Sequence, residues 1–151
     1  MDKILIQVQD FDLGLEVKLV QKLDNKMGAI VSFVGIVRDL LDTNLLKLHL
    51  EHYPQMTEKS LKNIITKVRK KWDLGAVTII HRVGDLGVNE NIVLVIVSSP
   101  HRGDSFAACE FIMDYLKTNA PFWKKEITSQ GENWVQSRES DIEKLKQYKT
   151  L

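Results

Sequence analysis

Two runs, VTIIHRV (77–83) and IVLVIV (92–97), are rich in β-branched residues, and they constrain the fold more than anything else in the chain. Each is too short for a comfortable buried helix, and β-branched side chains fit a pleated surface, so both are read as strands. The segment GDLGVN (84–89) supplies turn residues between them, which predicts that the two pair as antiparallel neighbours. The second run carries no polar residue and is expected to be fully buried.

The rest of the chain can be set around this pair. Ile4, Ile6 and Val8 alternate with polar neighbours as in a half-buried strand, and AIVSFVGIV (29–37) reads as a central strand that delivers Arg38 and Asp39 at its end. Leu46, Leu48 and Leu50 alternate with Lys47, His49 and Glu51 in a further strand stopped by Pro54. Helical spacing appears three times. Val17, Val20 and Leu23 follow a capping Asp12; Leu61, Ile64, Ile65, Val68 and Trp72 follow Thr57, a cap candidate, with Gly75 closing the element; Phe106, Cys109, Met113 and Leu116 follow Asp104 or Ser105 as caps, over about 106–118. Residues 122–135 read as an aromatic-anchored hairpin, and 139–149 as a polar helical tail. Helices and strands are interspersed and the two central strands form a hairpin, so the class is α+β and residues 1–151 are expected to form a single domain.

Composition removes several function classes. Twenty-one basic residues against 20 acidic give a net charge of +1, which offers no global field for a nucleic-acid backbone. No apolar run approaches the roughly 20 residues of a membrane span. Acid and amide groups interrupt the apolar run at the N-terminus, so no secretory signal is expected and the chain is read as cytoplasmic. The single cysteine, Cys109, cannot form an internal disulfide or complete a Cys-rich metal site, and its place on an apolar helix stripe reads as a core thiol. His49 and His52 have a spacing that suits metal ligands on a helix, but on a strand they face opposite sides, so no metal is expected. The lysines and arginine of 59–71 fill the other faces of their helix and read as a solvated surface.

Chemistry is left to cations at element ends: Arg38 after a strand, His101 and Arg102 between strand and helix, Lys117 at a helix C-terminus, and Lys124 and Lys125 after Pro121. Each has a plain surface explanation, Lys117 for example complementing the helix dipole. Brought into one pocket, they would make an anion site with an amine able to move a proton. Spacing alone does not decide between these.

The strings GAIVSFVGIVR (28–38), LEHYPQMTE (50–58), HRVG (81–84), SPHR (99–102) and FIMDYLKTNAPFWKKE (111–126) resemble the large, catalytic subunit of molybdopterin synthase, the MoaE family, in order and spacing over about two-thirds of the chain. The resemblance implies an α/β hammerhead fold with a small additional antiparallel β subdomain. It implies a sulfurtransferase of molybdenum-cofactor biosynthesis that converts cyclic pyranopterin monophosphate (precursor Z) to molybdopterin. Two sulfurs come in turn from the C-terminal Gly-Gly thiocarboxylate of a small ubiquitin-like, MoaD-type subunit. Two large subunits form the central dimer of a heterotetramer with one small subunit at each end, and no metal or cofactor is required.

By the same resemblance Lys117 stands beside the thiocarboxylate as the principal catalytic residue and Lys124 is a second essential lysine. Arg38, His101 and Arg102 hold the phosphate and pterin, Lys125 and Glu126 continue the substrate-contacting turn, and the His101-Arg102 pair reaches the pocket of the neighbouring large subunit. Phe33, Met113 and Arg138 are candidates for the pocket wall. Ile36 stands where many relatives carry a lysine, so that position is left out of the site. A non-catalytic anion- or partner-binding module on the same scaffold is the alternative.

Overall fold

The computed structural model describes residues 1–135, so the expected tail at 139–149 and Arg138 lie outside the described residues. Eleven elements follow in order: β1 (Asp2–Gln7), α1 (Leu13–Gln21), β2 (Ala29–Ile36), β3 (Leu45–His52), α2 (Met56–Lys71), β4 (Val77–Arg82), β5 (Gly84–Leu86), β6 (Asn91–Ser99), α3 (Arg102–Thr118), β7 (Phe122–Thr128) and β8 (Gly131–Val135). They build two four-stranded sheets, β1-β4-β6-β2 and β5-β3-β7-β8. This is the α+β arrangement expected, the second and fully antiparallel sheet being the additional β subdomain.

In the first sheet β4 and β6 pair antiparallel, Val77 opposite Val97 through His81 opposite Val93, as their composition predicted. β1 joins β4 in parallel, and β2 joins β6 antiparallel. Both faces of this sheet are covered, which explains the unbroken apolar run in β6. Val93, Val95 and Val97 pack with Leu61, Ile64 and Val68 of α2 and Ile112 of α3, while Leu94 and Ile96 turn to Val20 of α1. In the second sheet, Leu45, Leu48, Leu50 and Leu86 pack with Val37.

Local geometry corrects several sequence expectations. Leu46 is exposed and Leu45 is buried, because a register shift between Leu45 and Lys47 moves the inward position by one residue. Thr57 is not a cap: Gln55 holds that position at φ 69°, without a side-chain cap bond. The Thr57 hydroxyl instead accepts from the Tyr53 N–H and donates to the Pro121 carbonyl, both at 3.0 Å, tying α2 to the segment that follows α3. Gly75 lies beyond the end of α2, whose C-cap is Trp72. α3 begins at Arg102 with His101 as its N-cap, so neither Asp104 nor Ser105 caps it, and Phe106 is exposed. The segment 84–89 is more than a turn, since β5 leaves the first sheet and pairs with β3 in the second. Asp12 does cap α1, accepting from the Leu15 N–H at 2.9 Å.

Candidate functional site

The site begins where β2 stops. Val37 is pinned by its N–H to the Glu90 carbonyl (2.9 Å) and by the Asn89 N–H to its own carbonyl (2.7 Å), so it is buried and Arg38, the next residue, emerges exposed at the rim. The Asp39 carboxylate accepts from the Leu45 N–H at 2.7 Å, which closes the 40–44 loop back onto β3. Gly35 is required one step earlier, because a Cβ there would lie 2.8 Å from Cγ1 of Val93.

A second cation comes from the last turn of α3. Met113 and Leu116 are buried, and Lys117 is exposed at the carbonyl end of the helix, where a positive charge is favoured. The chain then reverses through 119–121, held by the Asn119 N–H on the Tyr115 carbonyl at 2.8 Å and by the Thr57 hydroxyl on Pro121. β7 starts at once. Phe122, Lys124 and Glu126, spaced by two, line a shared cavity of about 680 Å³ together with the intervening Trp123, within the usual range for a small-molecule site.

Arg38, Lys117, Lys124 and Glu126 all line that cavity, with Phe33, Met113 and Ile36 among its apolar wall residues. Three cations against one carboxylate make an enclosure suited to an anion, and an apolar wall strengthens their field. Arginine offers a planar fork for a phosphate, while a lysine amine can also give or take a proton.

Other sequence candidates lie elsewhere. Lys125, on the opposite face of β7, places its amine 3.2 Å from the Glu132 carboxylate and over the Trp134 ring at 5.2 Å, away from the cavity. His101 and Arg102 are exposed beyond the far end of β6. Ala29 pairs with Ser99 and Ile36 with Asn91, so the length of the β2–β6 ladder separates them from Arg38, roughly 25 Å by strand rise. Gly28 allows the close approach at that end, since a Cβ would meet the Pro100 carbonyl at 2.5 Å.

The remaining nucleophile and metal candidates have structural accounts. Cys109 is buried, and burial first, then the Glu110 charge, pushes its thiol up to about 11, which keeps it protonated. No group of three or more potential ligands is gathered for a metal ion among the described residues. His49 is held by Asp85 at 2.6 Å and Glu51 at 3.0 Å on the outer face of the second sheet. Sequence reasoning gave no role to His81, which lines the cavity. Its signals were a polar ring inside a β-branched run and its place at the head of the HRVG string, neither of which assigned it a role.

Comparison with known proteins places these features in context. The chain matches the family described as "MoaE protein" over residues 6–119. It is 52% identical over 142 residues to a molybdopterin synthase catalytic subunit from Ralstonia nicotianae, covering 93% of this chain and 81% of that one. The molybdopterin biosynthesis MoaE protein of Burkholderia ambifaria superposes with a TM-score of 0.84 at 48% identity, covering 98% of each chain. A molybdopterin synthase from Staphylococcus aureus superposes with a TM-score of 0.79 at 33% identity, covering 88% of this chain and 95% of that one.

Proposed function

The chain belongs to the MoaE protein family, and from that premise we propose how its cavity works as the catalytic centre of a molybdopterin synthase. The reaction transfers two sulfurs, in turn, from the C-terminal thiocarboxylate of a small ubiquitin-like subunit to cyclic pyranopterin monophosphate, giving molybdopterin. One observation carries the reading: Arg38 from the segment after β2, Lys117 from α3 and Lys124 from β7 converge on one cavity.

The chemistry needs that convergence. Substrate and sulfur donor are both anions, so bringing them together costs electrostatic work that fixed cations offset. Lys117 stands beside the thiocarboxylate, stabilises negative charge as it develops on sulfur and oxygen, and passes a proton in each addition and elimination. Lys124 is the second amine, and Arg38 grips the phosphate. Glu126, on the same face of β7, orients the pterin and restrains the lysines. Lys125 is left out of this assignment because its amine is engaged with Glu132.

His101 and Arg102 complete the phosphate site from a second copy of the chain. Their position across the β2–β6 ladder supports this, because no side chain spans that distance. The working particle is a central dimer with one small subunit at each end, and residues 1–151 act as one domain. The reaction takes place in the cytoplasm.

Purified chain incubated with thiocarboxylated small subunit and the cyclic precursor is expected to yield the dithiolene product. Lys117→Ala is expected to abolish conversion while retaining the fold and the small subunit; near-normal turnover by that variant would remove Lys117 from its role. A chain that binds both partners yet forms no product would be a binding module on the same scaffold.

A further inference from the structure

His81 lies on β4, in register with Ile6 of β1 on one side and Val93 of β6 on the other, so the first sheet fixes its backbone from both flanks. Its ring is buried and still lines the cavity. Nδ1–H donates to the Arg82 carbonyl at 2.8 Å, which sets the tautomer and leaves Nε2 as an acceptor. One face of the ring lies against Phe122, centroids 3.8 Å apart and planes 14° from parallel. Burial pushes the imidazole down to about 4, and the charges of Lys124 and His52 act in the same direction, so the ring is neutral near pH 7.

This stack joins the two sheets where the site is built. Phe122 is the first residue of β7, sits opposite His52 of β3, and shares the cavity face with Lys124 two residues on. A neutral imidazole gives Phe122 a flat partner without adding a fourth cation to the cavity. Leucine would fill the space without that face, whereas phenylalanine would keep both the face and the neutrality.

We propose that His81 is a positioning residue: stacked on Phe122 from a central strand, it sets where β7 begins and so where the Lys124 amine stands in the cavity. The effect on turnover rests on the reading of Lys124 as a catalytic amine; the geometric claim does not.

Two variants, His81→Leu and His81→Phe, and two measurements test this. In the first, the free chain is acylated with acetic anhydride and the labelling rates of Lys124 and Lys117 are compared by peptide mass spectrometry. His81→Leu is expected to raise Lys124 labelling about threefold or more with Lys117 unchanged, and His81→Phe to keep the parental ratio. In the second, His81→Leu lowers kcat about tenfold at unchanged KM, and His81→Phe stays within about threefold of the parent.

Unchanged Lys124 labelling in folded His81→Leu overturns the proposal, as does an equal rise at both lysines, which reports general loosening. Altered Lys124 labelling with unaltered turnover upholds the positioning and overturns the catalytic reading of Lys124. Should His81→Leu fail to fold, Phe122→Leu removes the other half of the stack and is judged by the same two outcomes.

Discussion

The two faces of β7 use the same residue types for opposite ends. Lys124 faces inward, half-buried, in a cavity shared with Arg38 and Lys117. Its neighbour Lys125 faces outward, where Glu132 neutralises it, Trp134 covers it, and the adjoining strand presents His49 in the grip of Asp85 and Glu51. The histidines repeat the contrast: His81 within the fold is held neutral by burial, while acceptors from Asp85 and then Glu51 raise the pKa of His49. A residue's chemistry here follows from the side of the strand it occupies, and one step along the chain reverses it.

The sharpest way to break this contrast is to truncate each lysine in turn. Lys124→Ala is expected to lower conversion of the cyclic precursor about a thousandfold, while Lys125→Ala loses no more than about threefold. Equal losses in a single-turnover assay would show that both faces of β7 serve the reaction.

Acid should separate the buried histidine from the half-buried one. The unfolded chain protonates His81 below about 6.5, and the folded chain resists until about 4, so the unfolded state binds more protons across that window. Stability is therefore full above pH 6.5 and falls as pH drops towards 4, by on the order of 3 kcal/mol from this residue. Urea melts at pH 7 and 4.5 should show a shallower acid loss in His81→Phe than in the parent; parallel losses would mean that His81 is not held neutral.

The bulge in β3 permits a third comparison, between adjacent leucines. Leu45→Ala is expected to cost about 2 kcal/mol as a buried leucine at the edge of its cluster, and Leu46→Ala less than about 0.5 kcal/mol. If denaturant midpoints ranked them the other way, the register shift would be misplaced. The smallest effect belongs to the outer face. The pKa of His49 is raised in the fold, so its pairing adds stability below its ordinary 6.5, lost as pH rises through the raised value. Both carboxylates that hold it are exposed and the pairing is screened by water, so His49→Gln should move Tm by no more than about 2 °C at pH 6 and not measurably at pH 9.

Much of the first sheet was legible because its signals are local. A β-branched run covered on both sides has few alternatives, and β4 and β6 pair as their composition required. Leu46 and the caps of α2 and α3 differ from the sequence reading because each depends on a distant partner: a bulge against the partner strand, the Thr57 hydroxyl drawn away to Pro121, and the Asp104 carboxylate accepting from the Asp73 N–H at 3.2 Å. The candidate site divides in the same way. Motifs marked Arg38, Lys117, Lys124 and Glu126, but which lysine of a pair faces inward is a matter of strand phase. His81 was hidden because its relevant neighbour, Phe122, is 41 positions away in sequence (122 − 81) and stacks on it across the gap between the sheets.

The β2–β6 ladder, with Arg38 at one end and His101-Arg102 at the other, has a consequence for inheritance. In the proposed dimer, a chain with Lys117→Ala would still carry a sound His101-Arg102 pair to lend, and a chain with Arg102→Ala would still carry a sound cavity to receive one. Two alleles that are each inactive alone should therefore complement one another when co-expressed, with one intact centre in every mixed pair.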